Sequence, residues 1–321
     1  MRRLLAGRLL QGLAVVWIVA TITFALLHLA PGDPFSYHDR RIAPEVIAHW
    51  RHVYCLDRPL AAQYLCYVRS IASGDLGYSI SQQRPVRDIL IDYVPRTLEL
   101  MFLALLFSFA IGIALGVMQA RCRGRFADWG SRVVSLFFYS MPDFWLALML
   151  ALLFAYWIPV FPISGIEDVV NAPGNGVWQQ VVDHLRHLVL PVTTLVLLTC
   201  AAIARFQRAA MLDVVRMEFV ITARAKGVSE TVIARHHVLR NALLPIITLA
   251  GLALPALLGG AVFVELVFSW PGMGYVTAAA VGNHDYALVT ASVMVTSILV
   301  VVGTIAADLL YTLVDPRVRD G

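Results

Sequence analysis

The chain has 321 residues, 59% of them apolar and only 14% charged, with a formal net charge of +4. Soluble domains carry about 25% charged residues, so this composition excludes a soluble globule and replaces a count of domains with a count of membrane spans. Of the 25 basic residues all but Lys226 are Arg; Lys226 lies between Ala225 and Gly227, not in the Gly-Lys-Ser/Thr run of a phosphate-binding loop, and the Arg are scattered between apolar stretches in a way that reads as topology and not as nucleic-acid binding.

Six apolar stretches reach or approach the roughly 20 residues that a helix needs to cross a bilayer. The first, 9–30, is longer than a signal-peptide core, and no convincing small-residue cleavage site follows, so it reads as a span. Residues 31–97 mix Tyr, Leu and Ile with charges and are expected to form a small helical subdomain on the outer face. Cys55 and Cys66 both fall here; two thiols in an oxidising compartment can pair, and their spacing does not decide whether they do. The second span, 98–118, opens on Glu99, and an Arg-rich turn with Arg121, Arg123, Arg125 and Arg132 follows it. The third, 133–158, carries Asp143 directly after Pro142. The fourth, 185–204, is the shortest and is interrupted by Pro191. After the Arg-rich loop 205–241 come the fifth span, 242–268, with Glu265, and the sixth, 286–314, in which Asp308 is the deepest ionisable group.

Ionisable residues within spans are functional suspects by default. Glu99 and Glu265 are expected near the outer interface, within reach of water, and Pro142 beside Asp143 frees a backbone carbonyl and can open a polar pocket. For all four acids, pairing between helices and a place along a solute path both fit. No His/Cys cluster has metal-site spacing. Cytoplasmic loops retain Arg and Lys, and sixteen of the basic residues fall in the N-terminus, the second-to-third loop, the fourth-to-fifth loop and the tail. Both termini are therefore expected inside.

Within the loop 205–241, Phe219, Thr222, Ala223 and Lys226 fall at i, i+3, i+4 and i+7, a continuous helical stripe. Gly227 supplies a helix stop, and Ser229 weakly caps a second helix that runs toward Arg240 before Pro245 opens the next span. Two short helices joined at a glycine form a compact knob, on which small residues such as Ala223 and Gly227 would let another protein's backbone approach. From patterning alone, a basic juxtamembrane loop held to anionic lipid fits as well.

Ala223-Arg224-Ala225-Lys226-Gly227, followed by Arg240-Asn241-Ala242-Leu243-Leu244-Pro245, resembles the coupling loop of ABC importer permeases, closest to the branch that handles peptides and nickel. Other segments agree in order: Gly32-Asp33-Pro34, Gly74-Asp75-Leu76-Gly77, Thr97-Leu98-Glu99-Leu100, Pro142-Asp143-Phe144-Trp145, Trp270-Pro271-Gly272-Met273-Gly274 and Asp315-Pro316-Arg317. Where the general importer pattern has Glu-Ala-Ala before the glycine, this chain has Ile221, Thr222 and Ala223, and Leu244-Pro245 lies farther downstream; both departures resemble the peptide branch.

The resemblance implies an all-α integral membrane protein of six transmembrane helices, like a type I ABC importer permease, with an extracytoplasmic subdomain after the first helix. It divides the chain into 1–30, the N-terminus and first helix; 31–97, the outer subdomain; 98–314, a five-helix core that includes the coupling loop 205–241; and the cytoplasmic tail 315–321. It further implies a transport subunit, not an enzyme, in a bacterial inner membrane. Thr222, Ala223, Arg224, Ala225, Lys226 and Gly227 would dock an ATPase. The implied partners are a second homologous permease, two ATPase subunits that bind ATP and Mg, an extracytoplasmic solute-binding protein and membrane lipid, with no cofactor on this chain. Small peptides are the implied solute; glutathione and a nickel chelate remain open. A self-contained secondary transporter would show matching halves with interrupted helices, and an intramembrane protease would show a nucleophile motif around Ser108, Ser135 or Ser140; neither pattern is present.

Overall fold

The computed structural model describes residues 2–29, 45, 48, 51–52, 55–168, 176–253, 255 and 261–314. The segments Gly32-Asp33-Pro34 and Asp315-Pro316-Arg317 lie outside the described residues, as does the tail 315–321. The elements in chain order are α1 (Arg2–Leu29), α2 (Leu60–Ser73), a hairpin of β1 (Tyr78–Ser79) and β2 (Arg84–Pro85), α3 (Val86–Arg121), α4 (Phe126–Tyr139) and α5 (Asp143–Ala151). Then come α6 (Val177–Val214), α7 (Glu218–Ala225), α8 (Glu230–Val232), α9 (Arg240–Ala242), α10 (Leu244–Ala253), α11 (Val262–Val267), α12 (Met273–Gly282) and α13 (Tyr286–Val314).

Among the described residues, α1, α3, α6 and α13 are each long and apolar enough to cross a membrane. The other two expected spans differ from expectation. The third is bent by 102° between α4 and α5. Pro142 is the cause: it holds an extended ψ of 137° and disfavours helix at the residue before it, so the chain restarts at Asp143. Beyond α5 the helix widens over Leu152–Trp157, where Ile158 donates its N–H to the carbonyl of Leu153. The fifth expected span is two shorter helices, α10 and α11, with Pro255 in a turn between them.

Two boundaries also move. α3 starts at Val86, ahead of the expected Leu98, because Val86, Ile89 and Leu90 fall on one helical face and are almost wholly buried with Met273, Val276 and Leu288. Pro191 does not interrupt α6, a helix of 38 residues that runs through it, and the hydroxyl of Thr194 donates to the carbonyl of Leu190 one residue before the proline. The same helix continues past Ala204 to Val214 and carries Arg205 and Arg208 with it.

The chain divides into two compact units. The first comprises Met1–Thr97, Leu258–Val262 and Pro271–Ile305. In it α2 lies along α1: the Tyr67 hydroxyl donates to the carbonyl of Ala20 at 3.1 Å, Thr21 and Tyr64 share a hydroxyl–hydroxyl bond of 2.8 Å, and His28 meets Gln63 at 2.8 Å. Burial pushes the Tyr67 hydroxyl up to about 12, so it stays a donor. The buried Asp285 carboxylate accepts from the hydroxyls of Ser79 (2.6 Å) and Ser81 (2.7 Å) and from the amide of Leu288 (3.1 Å), which ties the hairpin to the start of α13.

The second unit comprises Leu98–Leu257, Phe263–Trp270 and Ala306–Gly321. Its core packs Leu100 and Trp270 against Leu188, Val192, Val196 and Cys200 of α6. Here α3 and α6 cross at backbone distance. A Cβ at Gly112 would lie 2.9 Å from the carbonyl oxygen of Cys200, and one at Gly116 would lie 2.6 Å from that of Ala204. A pair of small residues four apart is what such an approach between membrane helices requires.

Candidate functional site

After α6 ends at Val214, a tight turn closed by Met217 N–H to the carbonyl of Val214 (3.0 Å) leads into α7. α7 ends as its sequence requires. The N–H of Gly227 donates to the carbonyl of Arg224 (2.9 Å), that of Val228 donates to the carbonyl of Ala223 (3.2 Å), and Gly227 has φ +79°. This is a Schellman cap, in which the left-handed residue is favoured to be glycine because a Cβ would be strained there. Val228, just past the cap, packs on the same apolar cluster as Ala223. Ser229 stands at the start of α8 with an extended ψ of 143° and makes no side-chain capping bond. The second helix then widens over Ile233–Leu239 before α9.

The inner side of this knob is a core of its own, made of Met211, Val214, Val220, Ala223, Ile233, Val238 and Ala242. One expectation is corrected here: Ala223 is 8% exposed and faces this chain's own core, so it anchors α7 from within. A helix face that carries Val220 and Ala223 turns inward, and Thr222, Arg224, Ala225, Lys226 and Gly227 are left exposed. Arg224 is held across the cap by Glu230, with Nε at 2.6 Å and Nη2 at 3.2 Å from its two carboxylate oxygens. The Arg224 guanidinium in turn keeps the Glu230 carboxyl below the usual carboxylate range.

The four acids of the spans have separate surroundings. Glu99 meets Nε2 of His184 at 2.8 Å, while Nδ1 of the same ring reaches the carbonyl of Ile166 at 3.2 Å. Asp143 turns back on its own helix and accepts from the amide of Phe144 at 2.8 Å. Glu265, expected within reach of water, is fully buried on α11, at 0% exposure. Val264 beside it is buried as well. Asp308 is half-buried on α13. In the first unit, Cys55 precedes α2 and Cys66 lies on it; their sulfurs meet, with Cα atoms 6.5 Å apart.

Residues 112–320 match the family of binding-protein-dependent transport system inner membrane components, and residues 1–101 match the N-terminal membrane component of the same systems. The chain belongs to this family. The permease is 40% identical to the di/tripeptide transport system permease protein DppB of Pseudomonas aeruginosa, over 94% of each chain. It is 34% identical to the oligopeptide transport system permease protein AppB of Bacillus subtilis, over 97% of this chain and 98% of that one. A chain of the MetNI methionine ABC transporter, solved in inward-facing conformations, superposes with a TM-score of 0.56 over 72% of the permease and 98% of its own length. At 21% identity that likeness speaks for the fold, that of an ABC importer permease.

Sequence reasoning missed three polar groups of this permease. His184, the partner of Glu99, is 85 residues away from it, and nothing local marks the pair. Asp128 is 1% exposed and bonded to Arg208, 80 residues on, and to Arg132. Only the i, i+4 relation of Asp128 to Arg132 was visible in the sequence. Asp285 follows a turn at Asn283-His284, which signals a helix start, but its bonds to Ser79 and Ser81 could not be read from that.

Proposed function

We propose that this permease moves small peptides inward across the bacterial inner membrane, with both termini cytoplasmic. It forms half of the translocation path beside a second homologous permease, and two separate ATPase subunits that bind ATP and Mg drive it. A solute-binding protein on the outer face delivers the peptide. The relatives named for di/tripeptide and oligopeptide transport support the solute class.

The observation that carries the mechanism is the Schellman-capped knob. Its inner side is bolted to the chain's own core by Val220 and Ala223, and its outer face of Thr222, Arg224, Ala225, Lys226 and Gly227 is open. Such a body moves as a unit with α6, so a partner that binds it differently in two states can shift the spans between their own two states. The knob contributes no catalysis; its stiffness is its function. Cys55 and Cys66 staple the outer subdomain, and Glu99, Asp143, Glu265 and Asp308 serve helix pairing or the path. The test is uptake of a labelled dipeptide by proteoliposomes that hold the assembled complex and its binding protein, with ATP inside. ATP-dependent uptake competed by unlabelled dipeptide supports the reading. Competition by glutathione or a nickel chelate alone replaces the solute class.

A further inference from the structure

In the second unit, α4 and α6 enclose a cleft of about 400 Å³ with the end of α3 as its floor. That size falls within the range of small-ligand sites. Three arginines line it, Arg132 from α4 and Arg205 and Arg208 from α6, together with Gln119, which is 2% exposed. A single buried carboxylate organises two of them. Asp128 accepts from Nε and Nη2 of Arg208, both at 3.2 Å, and lies 3.1 Å from Nε of Arg132, while the amide of Gly124 donates to it at 3.1 Å. Asp128 thus fixes where two guanidinium groups stand and neutralises one charge of three. Arg205 has no carboxylate partner among the described residues; its guanidinium packs 5.9 Å from the ring centre of Phe206. The cleft therefore holds an excess of fixed positive charge.

Its remaining wall is apolar. Leu136 and Tyr139 line it from α4, and both are exposed. The same helix continues that surface outward with Trp129, 56% exposed, and Phe126, 82% exposed. A helix that carries a basic side chain among exposed aromatic and aliphatic ones suits the membrane interface, where aromatic rings sit at headgroup level. A free anion would use the arginines and leave this wall bare; a phospholipid uses both.

We propose that the cleft binds the phosphate of an anionic phospholipid, with Arg205 as its principal contact and the acyl chains along the exposed face of α4. Basic pockets between spans on the cytoplasmic side are suited to such headgroups. Only the leaflet, the inner one, rests on the orientation proposed above, and the experiment does not depend on it.

The assembled complex, purified in detergent, is titrated with phosphatidylglycerol and with phosphatidylcholine of the same acyl chains, and bound lipid is counted by native mass spectrometry. One phosphatidylglycerol site absent for phosphatidylcholine is expected. Arg205→Gln should weaken it about fivefold, the loss of one arginine at a lipid surface, and Arg205→Lys should retain it. Arg205 is exposed and lies outside the buried clusters, so these variants leave the core intact, and Arg84→Gln, in the β1–β2 hairpin, serves as the control. Equal retention of the two lipids, or an Arg205→Gln complex that binds like the parent, overturns the proposal. Displacement by millimolar inorganic phosphate or by a dipeptide also overturns it, since the cleft would then be a site for a soluble anion. So does a site seen in the isolated chain and lost on assembly, which would give this face to the partner subunit.

Discussion

The hydroxyl of Thr97 accepts the backbone N–H of Met273 at 2.7 Å across 176 residues of sequence. Both residues are buried within the first unit, and the bond satisfies one of the amide donors left open at the start of α12. Two of the short segments that carry the family resemblance, around Thr97 and around Met273, thus meet at one hydrogen bond.

Thr97→Val removes that acceptor with little change of shape and leaves a buried N–H unpaired. The expected loss is about 1–3 kcal/mol, read as a lower thermal midpoint of the detergent-solubilised permease. Thr97→Ser restores the acceptor and should recover most of the stability. Equal losses in both variants would assign the effect to packing of the Thr methyl group.

Gly116→Ala probes the crossing of α3 and α6. A Cβ there would meet the carbonyl oxygen of Ala204 at 2.6 Å, a backbone atom that cannot swing away. Overpacking of this kind costs about 1–3 kcal/mol. At Gly282, on α12, a Cβ would meet nothing within 4 Å, and Gly282→Ala should be neutral or stabilising by about 0.4–1 kcal/mol. Opposite signs for the two substitutions in one melting assay are the expected result.

These positions show what could be read before any coordinates. Local physics was legible: the apolar runs behind α1, α3, α6 and α13, and Gly227 as a helix stop, depend on residues within a few positions of each other. Relations across the chain were not. Val86, Ile89 and Leu90 looked like part of an outer loop because their partners, Met273, Val276 and Leu288, lie some 190 residues away. Ala223 looked like an outward contact because small size suits either face of a helix. The exposure of Glu265 was misjudged for the same reason, since its distance along a span says nothing of what covers it. At Pro191 the general rule against helix-interior proline was outweighed by membrane packing.

Topology is tested by thiol labelling on intact cells, in a permease with Cys55 and Cys66 replaced. Gly176→Cys, exposed at the start of α6, should react with an impermeant reagent, and Ser229→Cys should not. Permeabilised cells should label both. Reaction of Ser229→Cys in intact cells would reverse the proposed orientation.

A Cys55–Cys66 bond closes a ring of 12 residues, since the two are separated by 11 positions. Closure of a ring of that size removes enough unfolded-state entropy to stabilise the segment around α2 by about 3 kcal/mol in the loop-entropy model. Mass spectrometry of unreduced protein should recover the two linked peptides. Reduction should make the α2 segment more sensitive to protease while leaving the knob unaffected. Two freely alkylated thiols in protein kept from reductant would remove the staple.

The coupling reading is most exposed at Gly227, where backbone strain and docking can be separated. Its φ is +79°, yet a Cβ built there meets nothing within 4 Å, so Gly227→Ala carries the left-handed penalty of about 1 kcal/mol and no clash within the chain. Gly227→Glu carries the same penalty and adds bulk and negative charge to the open face beside Lys226. Gly165, in the loop before α6, has φ +90° and similar room, so Gly165→Glu reproduces the strain without touching the knob. The measurement is ATP hydrolysis by the reconstituted complex, with and without binding protein plus dipeptide, alongside ATPase co-purification. Gly227→Ala should keep most of the stimulation, Gly165→Glu should resemble the parent, and Gly227→Glu should lose stimulation or release the ATPase while its spans remain inserted. Equal defects in the two Glu variants would reduce the effect to folding. A Gly227→Glu complex that assembles and hydrolyses ATP like the parent would mean that the knob does not transmit the stroke.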